Sequence, residues 1–177
     1  MQLPELTTER LLLRMMKDTD APAVFKYSSL PEVSQFVTWE THKSLEDSRS
    51  YVKFVQGNYE KGVITFAITL KDDPNTVIGD MAAFFVSPRD KVMELGAVLS
   101  PLHWNKGIMP EALTKLIEYC WQTQDVIRIQ SRCFKENKRS YRMLEKLRMR
   151  YEGTIYSSLF AKGKSWDMEM FSLIKDK

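Results

Sequence analysis

Apolar positions along this chain recur with two different periods, and the switches between them outline its elements. Residues 9–16 carry Leu11, Leu12 and Leu13 in a strand-length run, and Asp18 then starts a helical stretch to about Ser29, with a short second helix after Pro31. Ser44-Leu45-Glu46-Asp47 has the form of a capping box. It opens a long helix to about Lys61 whose apolar surface comes from Leu45, Tyr51, Val52, Phe54, Val55 and Tyr59, and Gly62 stops it. Strands are predicted near 63–70, 77–87 and 92–99, divided by the turn formers of Lys71-Asp72-Asp73-Pro74-Asn75 and Ser87-Pro88-Arg89-Asp90. From Glu111 to Gln124 the period is helical again, with Leu113, Leu116, Ile117, Cys120 and Trp121 on one face. A strand at 126–133, a helix at 137–148 and strands near 150–160 and 165–174, joined by Ala161-Lys162-Gly163-Lys164, complete the chain. The alternation implies an α+β sheet with helices on its faces, built as one domain over 1–177.

The junction from His103 to Ala112 carries the most chemistry. A largely apolar strand ends at Ser100-Pro101, a short loop holds Asn105, Lys106 and Gly107, and a helix follows. The first amides of a helix lack intrahelical acceptors and sit at the positive end of its dipole, so a glycine turn there attracts a diphosphate. The plainer reading is that Gly107 only ends a loop. Walker A is excluded, because Lys106 precedes its glycine and no hydroxyl residue follows to hold magnesium. A Rossmann fingerprint needs three spaced glycines, and one is present.

Composition narrows the class. The chain has 177 residues, 44% of them hydrophobic, enough for a sizeable core. With 26 basic against 23 acidic residues the net charge is only +3, so no global field favours DNA. Positive charge gathers instead at Lys135, Lys138, Arg139, Arg142, Lys146, Arg148 and Arg150, either as a solvated helix face or as an attractor of phosphate or of an acidic partner, RNA included. Two cysteines without a C-x-x-C form neither a disulfide framework nor a zinc site, and no metal is expected. No basic leader or apolar run of about 18 residues occurs, so a cytoplasmic location away from membranes is expected.

The segments Leu6-Thr7-Thr8-Glu9-Arg10-Leu11-Leu12-Leu13-Arg14, Trp39-Glu40, Val77-Ile78-Gly79, Glu94-Leu95-Gly96, Trp104 to Met109, Glu136-Asn137-Lys138-Arg139-Ser140, Leu144-Glu145-Lys146-Leu147 and Lys164-Ser165-Trp166-Asp167 together resemble the GNAT N-acetyltransferases over nearly the whole chain. They are most similar to the RimJ/RimL branch that acetylates ribosomal-protein N-termini. The resemblance implies a mixed, mostly antiparallel sheet of about seven strands, splayed between the fourth and fifth, with acetyl-CoA in the gap. It assigns cofactor contacts to Val98, Leu99, Ser100, Trp104, Asn105, Lys106, Gly107, Ile108, Met109, Asn137 and Ser140, and an acceptor wall to Trp39 and Glu40. Homodimers are common in the family. Four positions depart from its pattern. Met109 stands where Gly or Ala is usual, Arg148-Met149 replaces Gly-Phe and removes the glycine for a left-handed helix cap, and Leu144 replaces a frequent tyrosine.

Acyl transfer to an amine needs a free lone pair, a donor for the oxyanion and a proton for the departing thiolate. By the resemblance Glu94 is the leading base and Glu40 the second; a solvated sheet glutamate is the alternative for Glu94. Asn137 fits a helix N-cap with Ser140 at the third helical position, and the resemblance adds pantetheine binding to the first and thiolate protonation to the second. Tyr141 lies about 60° from Leu144 around the helix and does not replace the missing tyrosine. A backbone amide near Val98 would hold the oxyanion. His42 and His103, the only histidines, belong to no Ser/His/Asp arrangement. Three functions follow: acetylation of a protein N-terminal amine by direct attack in a ternary complex, acetylation of a small amine such as an antibiotic, polyamine or amino acid, or catalytically silent acyl-CoA binding.

Overall fold

The computed structural model describes residues 2–175. Strands β1 (Leu6–Thr7) and β2 (Leu11–Arg14) precede helices α1 (Ala21–Ser28), α2 (Pro31–Ser34) and α3 (Leu45–Glu60). Then come β3 (Ile64–Leu70), β4 (Asp73–Ser87), β5 (Val92–Leu99), α4 (Ile108–Thr123), β6 (Arg128–Phe134), α5 (Lys138–Lys146), β7 (Arg150–Ala161) and β8 (Lys164–Ile174). The expected first strand at 9–16 is a small hairpin, because Thr8 turns the chain: its amide donates to the Leu11 carbonyl and its Oγ1 accepts from the Leu11 amide. That adds an eighth strand, in the order β1-β2-β3-β4-β5-β6-β8-β7. All neighbours are antiparallel except β5 and β6.

Side chains alternate across a pleated sheet, so the pairings assign the faces. Phe66 pairs with Met81 and meets Tyr119 of α4 edge to face at 5.8 Å, which puts α4 on the side of Met81, Ala97 and Leu99. Asp80 is cross-strand from Ala67 and Val98 and bonds Tyr27 of α1 and Tyr51 of α3, which places those helices on the other face, shared with Glu94, Gly96 and Val98. Helix α5 lies on the α4 side, burying Leu144 with Cys133, Met149 and Phe171.

The cleft arises where two strands part. β5 and β6 pair from Val92↔Arg128 to Leu95↔Ser131 and no further, although β5 runs on to Leu99 and β6 to Phe134. Meanwhile β4 stays paired with β5 to Gly79↔Leu99. Gly79 makes that last approach possible, since a Cβ there would stand 2.4 Å from the Val98 carbonyl oxygen. The divergence thus falls on the β6 side alone.

Both ends of α3 follow the sequence. Ser44 and Asp47 form the reciprocal capping box, and Gly62, at φ 80, lets the amides of Gly62 and Val63 close on the carbonyls of Tyr59 and Asn58. At α5 the expectation fails. Arg148 takes the left-handed conformation at φ 57, and its amide and that of Met149 donate to the Glu145 and Leu144 carbonyls, so the Schellman cap forms without glycine. Burial of Met149 against Leu144 supplies the apolar contact that accompanies such a cap.

Candidate cofactor and acceptor site

The loop between β5 and α4 is anchored from below. Ser100 donates its amide to the Ile78 carbonyl at 2.7 Å, a single 3-10 turn spans Pro101–His103, and the Trp104 indole Nε1 returns to the Leu99 carbonyl at 2.8 Å. Gly107 then adopts φ 74 and serves as N-cap, so α4 begins at Ile108, three residues before the apolar pattern places it. Among the described residues, the amides from Asn105 to Met109 reach no carbonyl or side-chain acceptor. Pro110 has none to offer. Successive unpaired amides at the positive end of a 16-residue helix form an anion cradle.

A cavity of about 580 Å³ opens beside this loop. The splayed end of β5 supplies Val98 and Leu99, the loop supplies Trp104, Asn105 and Gly107, α4 begins with Ile108 and Met109, and α5 contributes Asn137 and Ser140. Ser100 and Lys106 stay outside the lining. Ser100 is buried behind the strand end, and the Lys106 carbonyl turns away to accept from Arg10 Nη1. Met109 is 8% exposed and belongs to the main core, so most of its bulk is directed inward. Arg139, Arg142 and Lys146 of the basic cluster line the cavity, and the Arg139 guanidinium lies 3.5 Å from the centre of the Trp104 ring. His103 also lines it; burial, with Lys106 nearby, holds its imidazole pKa below the usual value.

Asn137 caps α5, its Oδ1 accepting from the Ser140 amide at 3.1 Å. The Ser140 hydroxyl is left for the Cys133 thiol, which burial, with a smaller push from Glu169, raises to about 11. Leu144 is buried, and Tyr141 meets Phe171 edge to face and packs at a tilt on Tyr151.

On the opposite face Glu94 is only 7% exposed and does not line the cavity. Its Oε1 accepts from Arg132 Nε at 3.0 Å and Nη2 at 2.9 Å, and its Oε2 from Gln130 Nε2 at 2.8 Å. Trp39 packs on His42 and Tyr51, with ring centres at 5.1 and 6.2 Å, and Glu40 is exposed in the loop beside it; neither reaches the cavity. The wall there is Glu32, Val33, Phe36 and Val37, and Phe36 is fixed on Phe134 at 5.8 Å. Sequence reading passed over this wall, since only Pro31 marks it. It also passed over Asp80. That carboxyl is buried and hydrogen-bonded by Tyr51 at 2.9 Å and Tyr27 at 3.2 Å, with no cation on it among the described residues, and burial raises it to about 6. The visible signal was a lone acid inside the apolar run Val77-Ile78-Gly79-Asp80-Met81.

Comparison with known proteins identifies the family. The profile of the acetyltransferase (GNAT) domain family matches residues 10–150. The uncharacterized N-acetyltransferase p20 of Bacillus licheniformis is 32% identical over 171 residues, covering 96% of each chain. The [ribosomal protein uS5]-alanine N-acetyltransferase of Escherichia coli is 29% identical over 177 aligned positions, covering 95% of this chain and 89% of that one. A GNAT acetyltransferase structure from Bacillus anthracis superposes with a TM-score of 0.83 at 28% identity, covering 97% and 98%. A sheet opened between its one parallel pair, a glycine-capped helix at the opening and this family match lead to one conclusion: the chain belongs to the GNAT family and is an acetyl-CoA-dependent N-acyltransferase.

Proposed function

We propose that this enzyme transfers the acetyl group to the α-amine of a protein N-terminus, by direct attack on the thioester in a ternary complex. The observation that carries the cofactor half is the row of unpartnered amides from Asn105 to Met109 around Gly107, opening on a cavity lined by Arg139, Arg142 and Lys146. A diphosphate on these amides directs the thioester along Val98 and Leu99 toward Ser140, and the acetyl oxygen meets a backbone amide near Val98. Ser140, in the cavity and beside a thiol that burial keeps protonated, donates to the departing thiolate.

The acceptor approaches from the face of Glu94. An α-amine with a pKa near 8 needs about 1.4 kcal/mol to be neutral at pH 7, whereas a lysine near 10.4 needs about 4.6 kcal/mol. A weak base acting through water therefore serves an N-terminus. Among the described residues Glu94 Oε2 accepts from Gln130 alone and keeps an acceptor direction for such a water. The relative acting on uS5 and the placement of Trp39 away from the cavity support a protein acceptor over a small amine enclosed by that tryptophan.

Thiol release from acetyl-CoA with a panel of N-terminal peptides and small amines tests the assignment. Peptides should be the better acceptors; turnover confined to small amines overturns the substrate class, and tight CoA binding without turnover on any acceptor overturns the activity. Gly107→Val should abolish CoA binding. Ser140→Ala should lower turnover about a hundredfold or more with little change in cofactor affinity, in the range of lost general acids.

A further inference from the structure

The small N-terminal hairpin reaches the cofactor loop from outside the cavity. Glu111, in the first turn of α4, receives Thr8 Oγ1 and the Arg10 amide on Oε1, the amide at 2.9 Å, while Arg10 Nε donates to Oε2 at 2.7 Å. Arg10 Nη2 is 2.6 Å from the same Oε2, and Nη1 donates to the Lys106 carbonyl at 2.9 Å. These bonds join positions about a hundred residues apart in sequence. They hold Glu111 ionised. Burial raises its pKa, but the Thr8 and Arg10 hydrogen bonds and the Arg10 charge outweigh it and the net shift is downward.

Two consequences bear on the loop. A trans peptide is planar with its C=O and N–H opposed, so fixing the Lys106 carbonyl outward on Arg10 turns the Gly107 amide the other way. The guanidinium also neutralises the Glu111 carboxylate in the first turn of the helix that carries the loop. Arg10 also lies against the loop itself, its Nη2 3.4 Å from where a Cβ on Gly107 would stand.

We propose that Arg10 is a positioning residue of the cofactor site: paired with Glu111 it orients the Lys106–Gly107 peptide so that the Gly107 amide faces the cofactor's diphosphate. The inference rests on the reading that the Gly107 loop binds that diphosphate. Arg10→Gln should raise the KM for acetyl-CoA and the Kd for CoA about tenfold, as expected for loss of charge-assisted hydrogen bonds, while kcat changes less than about twofold. With S-acetylpantetheine, which lacks the diphosphate, Arg10→Gln should match the parent enzyme. Arg10→Lys should restore part of the affinity, and Arg10→Gln combined with Glu111→Gln should bind CoA no more weakly than Arg10→Gln alone. An unchanged KM for acetyl-CoA, or an equal loss with S-acetylpantetheine, overturns the proposal. Gly107→Val separates the two levels. If it binds CoA normally, the loop reading itself fails; if it loses CoA while Arg10→Gln does not, only the role of Arg10 falls.

Discussion

Arg148 sits where a glycine would be unstrained. Its φ of 57 is paid for by a complete Schellman cap and by burial of Met149 on Leu144, yet the strain of an L side chain in the left-handed region persists. Arg148→Gly should therefore stabilise the protein by about 1 kcal/mol in chemical denaturation. Asp80 offers a second test at this scale. Its carboxyl rises from 3.8 to about 6 on folding, so the folded state holds the proton more firmly than the unfolded chain. The benefit is present below pH 4 and lost as pH rises through 6, and ionised Asp80 then costs about 3 kcal/mol, two pKa units at about 1.4 each. Asp80→Asn should raise the denaturation free energy at pH 8 and lose that advantage near pH 4. Parallel curves for the two proteins would contradict it. Neither residue's state could be read in advance. Left-handed cap geometry at an arginine is set by the packing of Met149, and the burial of Asp80 depends on Tyr27 and Tyr51 arriving from two separate helices.

Elements were legible where local chemistry marks their ends. Ser44, Asp47 and Gly62 delimit α3 because each satisfies backbone groups within a few residues. The start of α4 was read three residues late, since Gly107 offers no side-chain cap and Pro110 interrupts the apolar period. The first strand was read as continuous because the Thr8 turn contains neither Gly nor Pro. On β7 the register shifts between Ile155 and Leu159, with Ser157 at φ 49, and no residue there announces a bulge. Between β4 and β5 the decisive contact is a missing atom. Gly79→Ala would drive a Cβ into the Val98 backbone, so the strands must separate, and the loss should be about 3 kcal/mol by thermal or urea unfolding.

For the whole molecule, hydrophobic period revealed an α+β sheet, but the height at which β5 and β6 part is a register property of two strands joined through α4. Only the family resemblance located it beforehand. The cavity residues of the loop and of α5 were legible for the same reason, whereas the wall of Glu32, Val33, Phe36 and Val37 was not, because it is assembled by tertiary contact with Phe134. Charge shows a similar contrast. A net +3 conceals a cavity with Arg139, Arg142 and Lys146 against one lining carboxylate, Glu32. The KM for acetyl-CoA should rise several-fold between about 0.01 and 0.3 M NaCl as the screening length shortens from about 30 Å to under 8 Å, while that for S-acetylpantetheine stays flat. Equal salt responses would place the phosphates elsewhere.

Trp104 gives the enzyme an internal optical gauge. Its indole is clamped between a carbonyl on Nε1 and a guanidinium over its ring, both of which tune emission, and the guanidinium belongs to a residue that lines the cavity. Ligand that draws Arg139 off the ring should shift the fluorescence of this one tryptophan among four, so occupancy can be followed by titration without a label or an acceptor amine.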